Sequence, residues 1–85
     1  MARSLTIQRS TVPLAEKEKY MDRLKTRRSH SLASSCRFWV FEEVSLPGAF
    51  IEFTEADDEA MLISAHEGAP HQVLDPARIY REVEL

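Results

Sequence analysis

A single cysteine, Cys36, is all the thiol chemistry that this 85-residue chain holds. One cysteine excludes an intramolecular disulfide and a thiolate metal cage within one chain, so a buried, inert thiol is expected. Long apolar runs are missing too: the longest, Phe38 to Phe41, falls far short of a membrane span. The stretch Met1 to Thr6 lacks the apolar core of a secretory signal. The expected compartment is therefore the cytoplasm, with no membrane partner. There is no asparagine, no internal repeat and no low-complexity segment.

What is present is the composition of a globular chain, 44% hydrophobic and 29% charged, which predicts one domain over residues 1–85. A chain this short buries only roughly 60–65% of the surface that its unfolded form exposes, so association is an expected source of stability. The net charge of −3 conceals two unlike halves. Residues 1–37 carry nine Lys/Arg against three acids, and the remainder carries two arginines against eleven acids. These halves read as solvated faces that attract each other within or between chains.

Leu5 and Ile7 alternate with Thr6 and Gln8, which predicts a strand over residues 4–11. Pro13 suits the first turn of a helix, predicted to run to about Ala33. On a helical wheel Leu14, Met21, Leu24 and Leu32 share one face, with Tyr20 at its margin. Two apolar runs follow, Cys36 to Val44 and Ala49 to Thr54, separated by Leu46-Pro47-Gly48, and these read as a hairpin. Asp57 is the expected N-cap of a short helix over residues 58–67, with Met61, Leu62 and Ala65 as its apolar stripe. After a loop through Asp75-Pro76, the alternation of Arg78 to Leu85 predicts a last strand.

The order β-α-β-β-α-β with right-handed crossovers gives an α+β, ferredoxin-like sandwich: a four-stranded antiparallel sheet with both helices on one face. In this reading Ile51 and Phe53 point at the helices, and Phe50 and Glu52 lie on the open face with either Trp39 and Phe41 or Phe38 and Val40. An open face bearing large aromatic side chains is an interface signature, so homodimerisation through the sheet faces is expected.

The stretch from Ser35 to Pro70, with Cys-Arg-Phe-Trp-Val-Phe-Glu-Glu, Pro-Gly-Ala-Phe-Ile-Glu-Phe-Thr-Glu-Ala-Asp-Asp-Glu-Ala-Met-Leu and Ala-His-Glu-Gly-Ala-Pro, resembles the antibiotic-biosynthesis-monooxygenase type of dimeric α/β barrel. The resemblance implies two ferredoxin-like sheets paired into a barrel and a pocket in each subunit between sheet and helices. Glu52 matches the family's acidic residue on the third strand and His66 its histidine near the end of the second helix. Thr54 stands where many members have tryptophan, and the absent asparagine argues against haem degradation.

The candidate catalytic residues are His66 and Arg28. His66, one turn after Leu62, can serve as general base or hydrogen-bond donor, or alternatively cap the helix. Arg28 falls between Leu24 and Leu32 on the wheel, where it can bind a carboxylate or enolate oxygen, or else pair with Glu42 or Glu52. Trp39, Tyr20, Glu52 and Thr54 are the candidate pocket residues. His66 and His71 have no third ligand nearby, so no metal or other cofactor is expected. An RNA-binding reading of Ala49 to Phe53 fails on Gly48, Pro47 and Leu46, and the acidic second half opposes phosphate, so no nucleic acid is expected. The expected function is cofactor-independent, monooxygenase-like chemistry on a small hydrophobic molecule; the alternative is a non-catalytic dimeric ligand-binding or accessory protein.

Overall fold

The structure, a computed structural model, describes residues 2–68 and 78–85. Strand β1 (Ser4–Thr11) leads through a single 3-10 turn at Leu14–Glu16 into helix α1 (Lys17–Ala33). Strands β2 (Arg37–Glu42) and β3 (Ala49–Ala56), helix α2 (Glu59–Glu67) and strand β4 (Ile79–Arg81) follow. The sheet order is β2-β3-β1-β4 with every neighbouring pair antiparallel, a ferredoxin-like α+β fold whose sheet is not closed on itself. No helix among the described residues is long and apolar enough to cross a membrane. The loop expected through Asp75-Pro76, and His71, lie outside the described residues.

Local chemistry sets the element ends. Helix α1 stops because Ser35 takes a left-handed conformation (φ 62°), with its N–H donating to Leu32 and the Cys36 N–H to the Ser31 carbonyl at 2.8 Å. This is the double hydrogen bond that usually has glycine at the turn position. Helix α2 is capped by Asp58, whose carboxylate accepts the Met61 N–H at 2.8 Å. The cap is thus one residue later than the expected Asp57, because Asp57 instead accepts from Arg37 on β2 at 3.0 Å. Gly48 closes the hairpin loop at φ 96°, and its carbonyl accepts from the Val12 N–H at 2.8 Å. A Cβ there would lie 2.8 Å from the Val12 oxygen, so both conformation and space call for glycine.

Two small buried clusters tie the helices to the sheet. Tyr20 and Leu24 of α1 pack on Phe50 of β3, and Leu62 and Ala65 of α2 pack with Cys36 and Ala56. The Tyr20 and Phe50 rings are 4.8 Å apart between centroids. These contacts reverse the expected facing of β3. Phe50, Glu52 and Thr54 point at the helices, and Ile51 and Phe53 lie on the open face. The wheel face of α1 is also corrected: Tyr20, Leu24 and Ser31 are buried, whereas Leu14 and Leu32 are exposed.

Register then assigns the remaining strand residues, since residues opposite each other in neighbouring strands share a face. Val40 and Gln8 flank Glu52, and Phe38 and Thr6 flank Thr54, on the helix side. Trp39 and Ile7 flank Phe53, and Phe41 and Arg9 flank Ile51, on the open side. Phe41 meets Phe53 edge-on at 5.8 Å. The helix side of β1 is therefore polar (Ser4, Thr6, Gln8, Ser10), and its apolar residues Leu5 and Ile7 face outward.

Candidate functional site

A polar row beneath a helix must find partners or enclose space, because a buried polar group without a hydrogen bond costs about 1–3 kcal/mol. Both occur here. Between α1 and the sheet lies a cavity of about 210 Å³. Strand β1 contributes Gln8 and Ser10 to its lining, β3 contributes Glu52, and α1 contributes Tyr20, Arg23, Leu24 and Arg27. The α1 residues recur at spacings of three and four, which places them on one stripe of the helix.

Glu52 is the centre of this site. It is 2% exposed, and each carboxylate oxygen accepts from a different donor. The Tyr20 hydroxyl donates to Oε2 at 2.7 Å, and the Arg27 guanidinium donates to Oε1. The Arg27 side chain is itself 11% exposed and lies 5.2 Å from the centroid of the Phe38 ring, a cation–π contact. Burial lowers the Arg27 pKa, with Tyr20 opposing, yet arginine's basicity leaves it charged. Burial raises the Tyr20 pKa above 10, and Ser10, Arg27 and Arg23 offset this only in part. At neutral pH Tyr20 is therefore a neutral phenol that donates a hydrogen bond to Glu52.

The expected site residues separate into three groups. Tyr20 and Glu52 meet in the cavity. Thr54 is buried on the same face of β3, two residues on, outside the lining. Trp39 is not in the pocket. It pairs with Phe53 on the opposite face and is 44% exposed, because the strand alternation that turns Val40 inward turns Trp39 outward. Arg28 is exposed, and the inward position belongs to its neighbour Arg27, since the helix presents the Tyr20–Leu24–Ser31 side to the sheet.

His66 is buried on α2, outside the lining, with Nδ1 3.0 Å from the Leu62 carbonyl oxygen. That hydrogen bond places the proton on Nδ1 and leaves Nε2 as an acceptor. Beside it His30 Nε2 donates to the Ala65 carbonyl at 2.7 Å, joining α1 to α2. Burial depresses the His66 pKa below 6.5, with Arg27 and His30 adding to the effect and the Leu62 carbonyl opposing it. A depressed folded-state pKa means that the unfolded chain takes up the proton first. The stabilisation by neutral His66 is therefore complete above about pH 6.5 and is lost as pH falls below it. Thermal melts should show a steeper loss of Tm between about pH 7 and pH 5 for the native chain than for His66→Gln; parallel curves would contradict this.

Arg27, Gln8, Ser10 and Arg23 are the site residues that the sequence did not reveal. The available signal was the parity of β1, whose even positions are all polar. Among the described residues no group of three or more His, Cys, Asp and Glu side chains converges as a metal site.

No family model matches the sequence, and neither does any curated protein. Two solved structures share the fold. A conserved protein from Methanosarcina mazei Go1 superposes with a TM-score of 0.72 at 18% identity, over 80% of this chain and 69% of that one. The "putative antibiotic biosynthesis monooxygenase" from Nitrosomonas europaea gives 0.70 at 16% identity, over 79% of this chain and 66% of that one. Both likenesses are of the fold.

Proposed function

We propose that the protein is a homodimer, paired through its apolar sheet faces as an α/β barrel, in which each subunit oxygenates a small, partly apolar organic molecule in the Tyr20–Glu52–Arg27 cavity without a bound cofactor. The observation that carries this reading is a buried carboxylate, paired with one cation and one phenol, at the wall of a half-open cavity. Its two engaged oxygens each keep a second lone pair for a substrate proton. The name of the Nitrosomonas europaea neighbour supplies the reaction class. An acidic CH₂ group would lose a proton to Glu52, with Arg27 beside the developing negative charge. The carbanion would pass its electrons to dioxygen, and the hydroperoxide formed would lose water to leave a carbonyl. One oxygen atom enters the product and the other leaves as water.

The test uses phenylacetone, an enolisable ketone with one aromatic ring and an acidic CH₂ group, in an oxygen electrode. Uptake of one O₂ per molecule, above the spontaneous rate and reduced at least 100-fold in folded Glu52→Gln, is expected; uptake equal to the spontaneous rate overturns the oxygenase reading. A second reading, a non-catalytic ligand-binding dimer, is favoured by the strength of the Glu52–Arg27 pair, which also serves as a structural tie. Phenylacetone bound without oxygen uptake would decide for it.

A further inference from the structure

The charges around the cavity do not cancel. Arg27 is matched by Glu52, but Arg23, one turn earlier on the same stripe of α1, is not. Its guanidinium carbon sits 5.9 Å from the Tyr20 ring centroid, and no carboxylate lies within ion-pair distance of it among the described residues. Glu16 and Asp22 border a separate surface depression with Arg23 without closing on it. The lining thus holds two cations against one anion. The other polar groups facing the space, the Ser10 hydroxyl and the Gln8 amide, can both donate. The remaining wall is apolar, from Leu24 and the Tyr20 ring. A space of about 210 Å³ is also below the roughly 300–1,000 Å³ of pockets that take drug-sized ligands.

We infer that the cavity is selective for a small organic monoanion about one ring in size, whose carboxylate or enolate is held between Arg23 and the Ser10–Gln8 edge while its apolar part lies against Leu24 and Tyr20. This rests on the cavity being the ligand site and adds the charge and size of what enters. Arginine suits the role because its planar fork matches a two-oxygen anion. At the exposed mouth it also attracts anions from solution, an effect that salt weakens.

Benzoate and benzamide, nearly identical in shape and different in charge, provide the test, followed by amide chemical shifts on the intact protein. Benzoate is expected to shift the amides of Gln8, Ser10 and Tyr20 and to bind at least ten-fold more tightly than benzamide. Arg23→Gln, a change at an exposed position, should weaken benzoate about ten-fold and leave benzamide unchanged. Equal binding of the two, or benzoate binding indifferent to Arg23→Gln, overturns the anion inference and leaves the cavity reading standing. If neither compound shifts these amides, the cavity reading falls together with the inference.

Discussion

Arg27→Met is expected to lower Tm by at least 10 °C. The substitution keeps much of the side-chain volume and its contact with Phe38 but leaves the Glu52 carboxylate buried with the Tyr20 hydroxyl still donating to it and the Arg27 cation gone. Removing one partner of a buried ion pair costs about 3–5 kcal/mol, chiefly because the surviving charge is uncompensated. In a domain of this size each kcal/mol moves Tm by roughly 4–8 °C. The double variant Arg27→Met/Glu52→Gln should recover part of the loss, since no unpaired charge is then buried and Tyr20 can still donate to the amide oxygen. A single variant that melts within 2 °C of the native protein would show that the pair contributes little.

Trp39→Glu is expected to weaken self-association at least 100-fold and to leave the subunit folded. Trp39 lies beside Phe53, which in turn meets Phe41, in the aromatic row that β2 and β3 form on the open face. Trp39 and Phe41 are 44% and 56% exposed in the single chain, so a substitution at Trp39 leaves the clusters under the helices intact. Pairing two such faces would bury both aromatic rows, and a carboxylate there would be taken out of water. Size-exclusion chromatography with far-UV circular dichroism checks this. Native-like dimer elution by Trp39→Glu would place the association elsewhere.

Strand β1 shows how far the sequence could be read and where it misled. Its limits, residues 4–11, coincide with Ser4–Thr11. So does the general run of elements, because proline, glycine and the apolar runs mark their ends strongly. The facing of the sheet was harder to read. Strands β2 and β3 carry large apolar side chains at both parities, Phe38 and Val40 against Trp39 and Phe41, and Phe50 against Ile51 and Phe53. Alternation within them does not choose a face. Strand β1 does alternate, but the usual inference that its apolar residues meet the helices is reversed here. Its polar residues line a cavity, and Leu5 and Ile7 turn to the open side.

Helix α1 misled for a related reason. Of its most apolar wheel face, Leu24 is buried but Leu14, Met21 and Leu32 are exposed in the single chain, and the buried face includes Arg27 and Ser31. Adjacent residues on a helix are about 100° apart, so a modest rotation exchanges Arg28 for Arg27. Tyr20 and Glu52, both singled out in the sequence, line the cavity, but their hydrogen bond, made across 32 positions of sequence, belongs to the tertiary packing.

The central claim is a division of labour between the two faces of one sheet: the face turned to the helices, whose polar β1 row borders a cavity for a ligand, and the outer face with its aromatic row for a second copy. Trp39 is the sole tryptophan and marks the apolar face, so its fluorescence tests the claim directly. Over a dilution series from about 100 μM to about 10 nM, emission characteristic of an apolar environment is predicted at the concentrated end, moving toward that of water-exposed tryptophan as pairs dissociate. Water-exposed emission that is constant up to 100 μM would contradict it.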